Sequence, residues 1–347
     1  MRALLGATKD ELKNIALECG LPAFAGGQIA DWLYQKRVRS IDQMTNLSKA
    51  GRERLKDRYT VGMIEPLEVR TSRDGTRKYL FPFHRDGVAS GLNAVEAVVI
   101  PDGDRKTLCV SSQAGCKMSC RFCMTGRQGF HGNLTAAEIL SQFLAIDEAA
   151  ELTNTVFMGM GEPLDNWDEV RRAIEVLTAP WGFAWSPKRI TLSSIGVLPK
   201  LKEYLDGSRC HLAISLHDPF PEERAALMPV EKAYPIREVL SLIRQYDFTG
   251  QRRVSFEYTM FSGLNDSLRH ADELARLLRG LECRVNLIRF HEIPDFPYST
   301  SDADAMERFK ERLERRGVTT TIRASRGEDI FAACGLLAGT HAVEDEG

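Results

Sequence analysis

The 347-residue chain has no apolar run long enough to cross a bilayer, and its N-terminal MRALLGATKDELKNIALECG lacks the apolar stretch of a secretory leader. Both absences point to a cytoplasmic protein without membrane association, where thiols stay reduced and grouped cysteines serve metals or catalysis rather than disulfides. Charge of one sign is also missing: 46 Lys and Arg against 48 Asp and Glu leave a net −2. Global basicity is thereby excluded as a means of holding nucleic acid, and any such binding rests on local patches. A further shortage is local. Cys116-Lys-Met-Ser-Cys120-Arg-Phe-Cys123 sets three of the eight cysteines at Cys-x3-Cys-x2-Cys, with no fourth Cys or His beside them at ligand spacing; His131 is the nearest candidate. Structural zinc takes four ligands, usually as paired knuckles. An iron–sulfur cube held by three thiolates leaves one iron open to a small molecule.

What is present fits a large α/β domain with an accessory piece: the composition is 43% hydrophobic and 27% charged, enough to bury a sizeable core. Residues 1–60 read as helical, with apolar spacing at Leu12, Ile15 and Ala16 and again at Ile29, Trp32 and Leu33. Thr45-Asn46-Leu-Ser48 supplies N-cap types before a further helix. Lys36, Arg37, Arg39, Lys49, Arg52, Arg54, Lys56 and Arg58 gather here, either as a solvated face, interrupted by Glu53 and Asp57, or as a local basic patch. Residues 61–106 read as short strands, with a turn at Arg73-Asp74-Gly75 and strands at Lys78–Pro82 and Val95–Ile100.

From residue 107 to about 340 a strand–helix alternation takes over. Buried strands are expected at Thr107–Ser111, Thr155–Gly159, Arg189–Ser193, His211–Ser215, Val254–Thr259, Arg284–Ile288 and Val318–Ile322. Helices are expected at Ala136–Ala150, Trp167–Leu177, Leu198–Leu205, Ile236–Tyr246, Leu268–Leu278 and Asp302–Arg315, the first opened by a Thr135/Glu138 capping box. Such alternation implies a parallel sheet with helical crossovers, closed, partly closed or doubly wound. The unusual loops follow the strands: the cysteine loop, Gly159-Met-Gly161-Glu162-Pro163, Ser193-Ser-Ile-Gly196 and Ser215-Leu216-His217-Asp218. Strand C-terminal ends are where such sheets build their sites. The short acidic tail covers 341–347.

A CxxxCxxC loop after the first strand, with Phe122 before its third cysteine, resembles the radical S-adenosylmethionine (SAM) enzymes. That resemblance implies a (β/α)6 partial TIM barrel, a [4Fe-4S] cluster on Cys116, Cys120 and Cys123, and SAM on the open iron, with Gly161 and Glu162 at the SAM amino group. Longer stretches narrow the likeness. Leu108-Cys109-Val-Ser-Ser-Gln-Ala-Gly-Cys116, Leu212-Ala-Ile-Ser-Leu-His217, Leu227-Met-Pro229, Val285-Asn-Leu-Ile288, and Arg326-Gly-Glu-Asp-Ile330 with Ala332-Ala-Cys334-Gly are similar to the RlmN/Cfr family of RNA adenine methyltransferases, over essentially the whole chain.

The resemblance implies that Cys334 accepts a methyl from one SAM, and that a second SAM is cleaved to a radical that takes a hydrogen from the S-methyl group. The resulting carbon radical adds to adenine, and Cys109 releases the product by forming a disulfide with Cys334. Glu96 matches the proton acceptor of the family, and Ser193, Ser215, Leu216, His217 and Asn286 match its SAM contacts. The implied partners are 23S rRNA, tRNA and an electron donor such as flavodoxin, and a monomer is expected. The acidic tail stands where some members carry a basic extension. Ser193–Gly196, Val285–Phe290 and Leu264–Leu268 lean to the branch that methylates adenine C8, whereas the N-terminal region and Glu96 lean to C2, which is the reading taken. The rival from another class is a non-enzymatic iron–sulfur RNA-binding protein or redox sensor, which needs neither Cys109, Cys334 nor Glu162. A radical maturase of peptides would need auxiliary-cluster cysteines, and the remaining ones are scattered.

Overall fold

Helical spacing in the first 60 residues closes into a small unit. In the computed structural model, which describes residues 1–84, 94–250 and 252–338, strand β1 (Arg2–Ala3) leads to α1 (Lys9–Glu18), α2 (Ala25–Ala30) and α3 (Lys49–Lys56), and β2 (Tyr59–Thr60) returns to pair with β1 in parallel. A reciprocal cap starts α1: the Glu11 amide donates to the Thr8 hydroxyl and the Thr8 amide to the Glu11 carboxylate. Ser48 caps α3, as its residue type predicts. Gly26 sets the approach of α2 to α1, since a Cβ there would lie 2.5 Å from the Lys13 nitrogen.

Several of the basic residues of this unit hold the unit itself. Lys36 pairs with Asp31 and lies over the Trp32 ring, and Arg39 pairs with Glu65. Arg52 donates to the carbonyls of Met44 and Leu47, Arg54 to those of Cys19 and Gly20, and Lys56 pairs with Asp42 and Glu53. The unit joins the rest through Arg172 on Glu11 (2.7 Å) and the Tyr34 ring against Trp181.

The second part is one ten-stranded sheet. Strands β3 (Glu68–Thr71), β4 (Arg77–Pro82), β5 (Ala94–Asp102) and β6 (Arg105–Cys109) form an antiparallel run. A hairpin of β7 (Gln113–Gly115) and β8 (Phe130–Asn133) follows, carrying the short α4 (Met124–Arg127). Then come α5 (Ala136–Leu144), β9 (Asn154–Phe157), α6 (Trp167–Thr178), β10 (Ile190–Ser194), α7 (Leu198–Gly207), β11 (His211–Ser215), α8 (Pro221–Leu227) and α9 (Ile236–Ile243). The chain continues through β12 (Val254–Met260), α10 (Leu268–Leu278), β13 (Cys283–Arg289), α11 (Ala303–Arg315) and β14 (Thr319–Ile322).

From β6 through β9 to β14 every parallel neighbour is also the next strand of this sheet in sequence, the β7–β8 hairpin standing outside it. A doubly wound sheet reverses its order at a switch point. An order that never reverses, with crossovers of one hand, keeps the helices on one face and curls the sheet towards the other. This is the partial barrel, and its strands are the apolar runs expected of a sheet covered on both faces. Residues 61–106 do more than link: β5 pairs with β6 with Val98 opposite Cys109, so this segment widens the same sheet.

Helix α5 stops at Leu144, short of the predicted Ala150. The reason is tertiary. Asp147 and Glu148 leave the helix to bind Arg77 at 2.6 and 2.7 Å, and Glu148 also accepts from the Tyr79 hydroxyl. Among the described residues no helix is long and apolar enough to cross a membrane. The acidic tail at 341–347 lies outside the described residues.

Candidate active site

Strand β6 delivers the chain to the β7–β8 hairpin, which folds the cysteine loop over the C-terminal ends of the parallel strands. The Cys116 amide donates to the Gly129 carbonyl (2.8 Å) and the Arg121 amide to the Leu227 carbonyl (3.0 Å), while Ser119 takes a left-handed φ of 52°. Cys116, Cys120 and Cys123 line one cavity of about 170 Å³. Burial raises all three thiols, Cys116 to about 12. Such sulfurs become thiolates when a bound cation reverses the balance. A single tetrahedral zinc with Zn–S near 2.3 Å would draw them to about 3.8 Å apart. Among the described residues the three cysteines do not all approach within 4.8 Å; the trio that does is Asp218, Glu223 and His270. Three cysteine thiols gathered from one short loop fit a multi-iron cluster that keeps one iron open. In that trio His270 Nε2 lies 2.9 Å from Glu223 and Nδ1 2.6 Å from Ser267, while Asp218 Oδ1 accepts the Phe220 amide (2.8 Å). His131 meets the Gln128 carbonyl at 3.1 Å and is not among the residues lining the cysteine cavity.

The same cavity brings in Gly161, Glu162, Ser193, Ser215 and His217 from the ends of β9, β10 and β11. Gly161 has φ 95°, and a Cβ there would lie 2.4 Å from the Gln113 Cβ, so only glycine fits. Glu162 accepts from the amides of Ile195 and Leu164, both at 3.0 Å. Burial pushes its carboxyl up to about 7, against hydrogen bonds from Ile195, Ser194 and Leu164 that pull the other way. A ligand ammonium would satisfy that carboxylate. His217 sits at φ 56° and accepts the Thr259 amide at Nδ1 (3.0 Å), which leaves the proton on Nε2 as a donor. Burial, helped by Arg224, holds this ring neutral, down to about 3. Two expected contacts stand back from the cavity lining. Leu216 is fully buried and gives its amide to the Glu257 carbonyl (3.1 Å). Asn286 donates to the Glu257 carboxylate (2.8 Å) and accepts from the Thr321 hydroxyl (2.7 Å).

Cys334 lines this cavity and also a neighbouring one of about 140 Å³, whose wall includes Cys109, His291, Arg323 and Ser325. Cys334 is exposed and Cys109 buried. Burial, with the Cys334 thiol adding, pushes Cys109 up to about 12. The Cys334 loop is tied to the cluster loop, where the Met124 amide donates to the Gly335 carbonyl (2.9 Å) and the Thr125 hydroxyl to the Leu337 carbonyl (2.7 Å). Glu96, 2% exposed on β5, borders neither cavity. Its carboxylate pairs with Lys78 (3.2 Å) and accepts the Ala338 amide (3.2 Å). Cys19 and Cys210 are buried as small apolar residues, and Cys283 is half-buried at the first residue of β13.

Three residues join the site that the sequence reading passed over. Arg224 is completely buried, donates to the Leu216 and Ser215 carbonyls at 2.9 Å each and pairs with Glu231. It fixes the end of β11, but Pro221-Glu-Glu-Arg224 reads as an ordinary charged helix start. Glu257 is the one charged residue of β12, a signal that was available, and Arg323 follows β14 as the other site loops follow their strands.

Glu162 gives a pH prediction. Its carboxyl titrates near 7 in the folded chain against 4.5 for the ordinary group. The folded state therefore binds the extra proton between those values, and stability falls as pH rises through that window. Ligand-free Glu162→Gln protein is expected to lose less Tm than the parent between pH 5 and 7.5; superimposable profiles would refute the shift.

The chain matches the radical SAM superfamily over residues 110–278 and the ribosomal RNA large subunit methyltransferase N-terminal domain over residues 3–61. It is 60% identical to a probable dual-specificity RNA methyltransferase RlmN of Porphyromonas gingivalis W83, covering 99% of this chain and 98% of that one. The dual-specificity RNA methyltransferase RlmN of Marinobacter nauticus is 42% identical over 99% of this chain and 93% of its own. A crystal structure of a radical SAM methyltransferase from Sphaerobacter thermophilus superposes with a TM-score of 0.90 at 38% identity, covering 98% of this chain and all of that one.

Proposed function

As this chain belongs to the RlmN family of radical SAM methyltransferases, we propose that it methylates C2 of a specific adenine in 23S rRNA and of an adenine in tRNAs through a methylated Cys334. The observation that carries the reading is the position of Cys334, which borders both the cavity of the three cluster cysteines and the cavity of Cys109. Adenine C2 is an electron-poor sp² carbon that does not displace a methyl from a sulfonium. A [4Fe-4S] cluster held by Cys116, Cys120 and Cys123, with SAM at its open iron, supplies the hydrogen-abstracting chemistry that such a carbon requires.

The chain's own residues do the rest. Glu162 receives the SAM amino group, and Ser193, Ser215 and the His217 Nε2–H hold the remainder, while Leu216 and Asn286 act through Glu257. Cys334 Sγ takes the methyl carbon of the first SAM, whose thioether departs, and the thiol proton goes to solvent. Joining that carbon to adenine breaks one C–H bond of the S-methyl group, whose hydrogen would pass to the adenosyl carbon of the second SAM as methionine leaves, and the electron the cluster would lend for this returns when the adenine ring regains its aromaticity. Glu96, which stands behind the cavities and meets the Cys334 loop at Ala338, receives the ring proton once the carbon is joined. Cys109 Sγ then bonds to Cys334 Sγ as it gives up its thiol proton, and the C–S bond breaks with its electron pair on carbon, which takes a proton and becomes the product methyl. Two electrons from an external donor, such as flavodoxin or a dithiol, return both thiols.

In this reading residues 1–60 are the RNA-binding accessory unit, 61–106 the β extension, 107–340 the catalytic core and 341–347 a tail, in a cytoplasmic monomer. The test is the product. Anaerobically reconstituted protein given SAM, reductant and an rRNA fragment is expected to yield 2-methyladenosine after nuclease digestion and chromatography. An 8-methyladenosine product would move the chain to the C8 branch, and SAM consumption with no RNA product would overturn the assignment.

A further inference from the structure

The loop that carries Cys334 is held on its outer side by the strands that widen the barrel sheet. The Gly327 amide donates to Asp74 (3.0 Å), and Asp329 accepts from the Ser72 hydroxyl and from the Arg73 amide (3.1 Å). Nearer the cysteine the tethers change character. Lys78 Nζ donates to the Phe331 carbonyl (3.3 Å) and pairs with Glu96 Oε1 (3.2 Å), while Glu96 Oε2 accepts the Ala338 amide (3.2 Å). Cys334 lies between the two tethered positions, 331 and 338. Lys78 and Glu96 are diagonal neighbours on paired strands, Lys78 standing opposite Val98 and Leu80 opposite Glu96, so their side chains share a face. Their side chains are only 11% and 2% exposed, which makes the pair costly to break from one side.

We propose that Lys78 is a positioning residue that couples the Glu96 carboxylate to the Cys334 loop: its ammonium fixes one carboxylate oxygen while also pinning the loop carbonyl three residues before the cysteine. Glu96 thus meets the loop twice, directly at Ala338 and through Lys78 at Phe331, and the carboxylate and the methyl-bearing sulfur keep a set relation. Phe331 itself is held at φ 52°, a strained conformation for an aromatic residue, at the point where Lys78 grips. The proposal deepens the function given above and rests on its reading of Glu96 as proton acceptor.

The test uses Lys78→Met, Lys78→Arg, Glu96→Gln and the double variant in the full-length, cluster-loaded protein. The readouts are methyl on Cys334 by peptide mass, RNA methylation rate, and covalent protein–RNA adduct. Lys78→Met is expected to keep the Cys334 methyl and the cluster but to lose RNA methylation by about tenfold to a hundredfold, the scale of a misplaced reacting group. Lys78→Arg, which keeps the charge and the donors, is expected to recover most of that loss. Glu96→Gln should lose as much as Lys78→Met, and the double variant no more than Glu96→Gln alone. Methylation by Lys78→Met within twofold of the parent would overturn the proposal, as would multiplicative losses in the double variant or failure of Lys78→Met to carry the Cys334 methyl. A Glu96→Gln protein with parental activity would instead sink the role of Glu96 itself, and a Lys78→Met loss beside it would then mark an independent use of the lysine.

Discussion

Cys109→Ala protein, given SAM, reductant and RNA, is expected to stall as a covalent protein–RNA adduct, with release of free methylated RNA reduced to a trace. The reason lies in the order of bonds. In the proposed reaction, once carbon joins adenine the RNA hangs from Cys334 by a C–S bond that water does not cleave. Release requires a second sulfur to attack the first; Cys109 shares a cavity with Cys334 and, unlike Cys123 on the same wall, is not one of the three cluster cysteines. Alanine keeps the small volume and the burial of that position, so the fold and the cluster loop stay intact while the resolving sulfur is gone. Adduct should reach about one RNA per polypeptide and vanish when Cys334 is also replaced. Parental turnover by Cys109→Ala would remove Cys109 from the reaction.

Replacement of Cys116, Cys120 or Cys123 by alanine should act earlier and more completely. Each of the three lines the cavity that holds Glu162 and His217, and the fourth cysteine on that wall, Cys334, lies outside their loop and in the proposed reaction carries the methyl. Iron content and the visible charge-transfer absorption should fall together towards the level of the triple variant, and SAM cleavage, Cys334 methylation-dependent transfer and RNA product with them. Cys19→Ala and Cys210→Ala, both in the packed interior, should keep iron and cleavage. A single cluster-cysteine variant that still loads iron and cleaves SAM would contradict the three-thiolate cradle.

Much of this was legible in the sequence because parallel strands buried on both faces are plain apolar runs. His211–Ser215 and Leu268–Leu278 were read to the residue, and the Thr135/Glu138 cap is formed as its spacing predicts. The site loops were legible for a related reason: polar and glycine-rich residues directly after such strands have few purely structural uses. What stayed hidden depends on register and on depth. The Lys78–Glu96 contact joins residues 18 apart and becomes visible only once Leu80 is known to face Glu96. Arg224 lies in a charged helix start that looks solvated, yet it is fully buried against strand carbonyls. The end of α5 was misjudged because Asp147 and Glu148 are drawn to Arg77, a partner 70 residues back in the chain. The spacing of the basic residues near the N-terminus could not tell that Arg52 and Arg54 face their own unit's carbonyls.

The most direct measurement follows a SAM methyl carrying three deuterons through the reaction. The Cys334 peptide from reconstituted protein should first carry the fully deuterated methyl, and the adenine produced afterwards should carry a methyl with two deuterons and one solvent hydrogen, because one deuteron is abstracted and one proton returns when the C–S bond breaks. An adenine methyl that retains all three deuterons, with Cys334 unlabelled throughout, would show direct transfer and contradict the account.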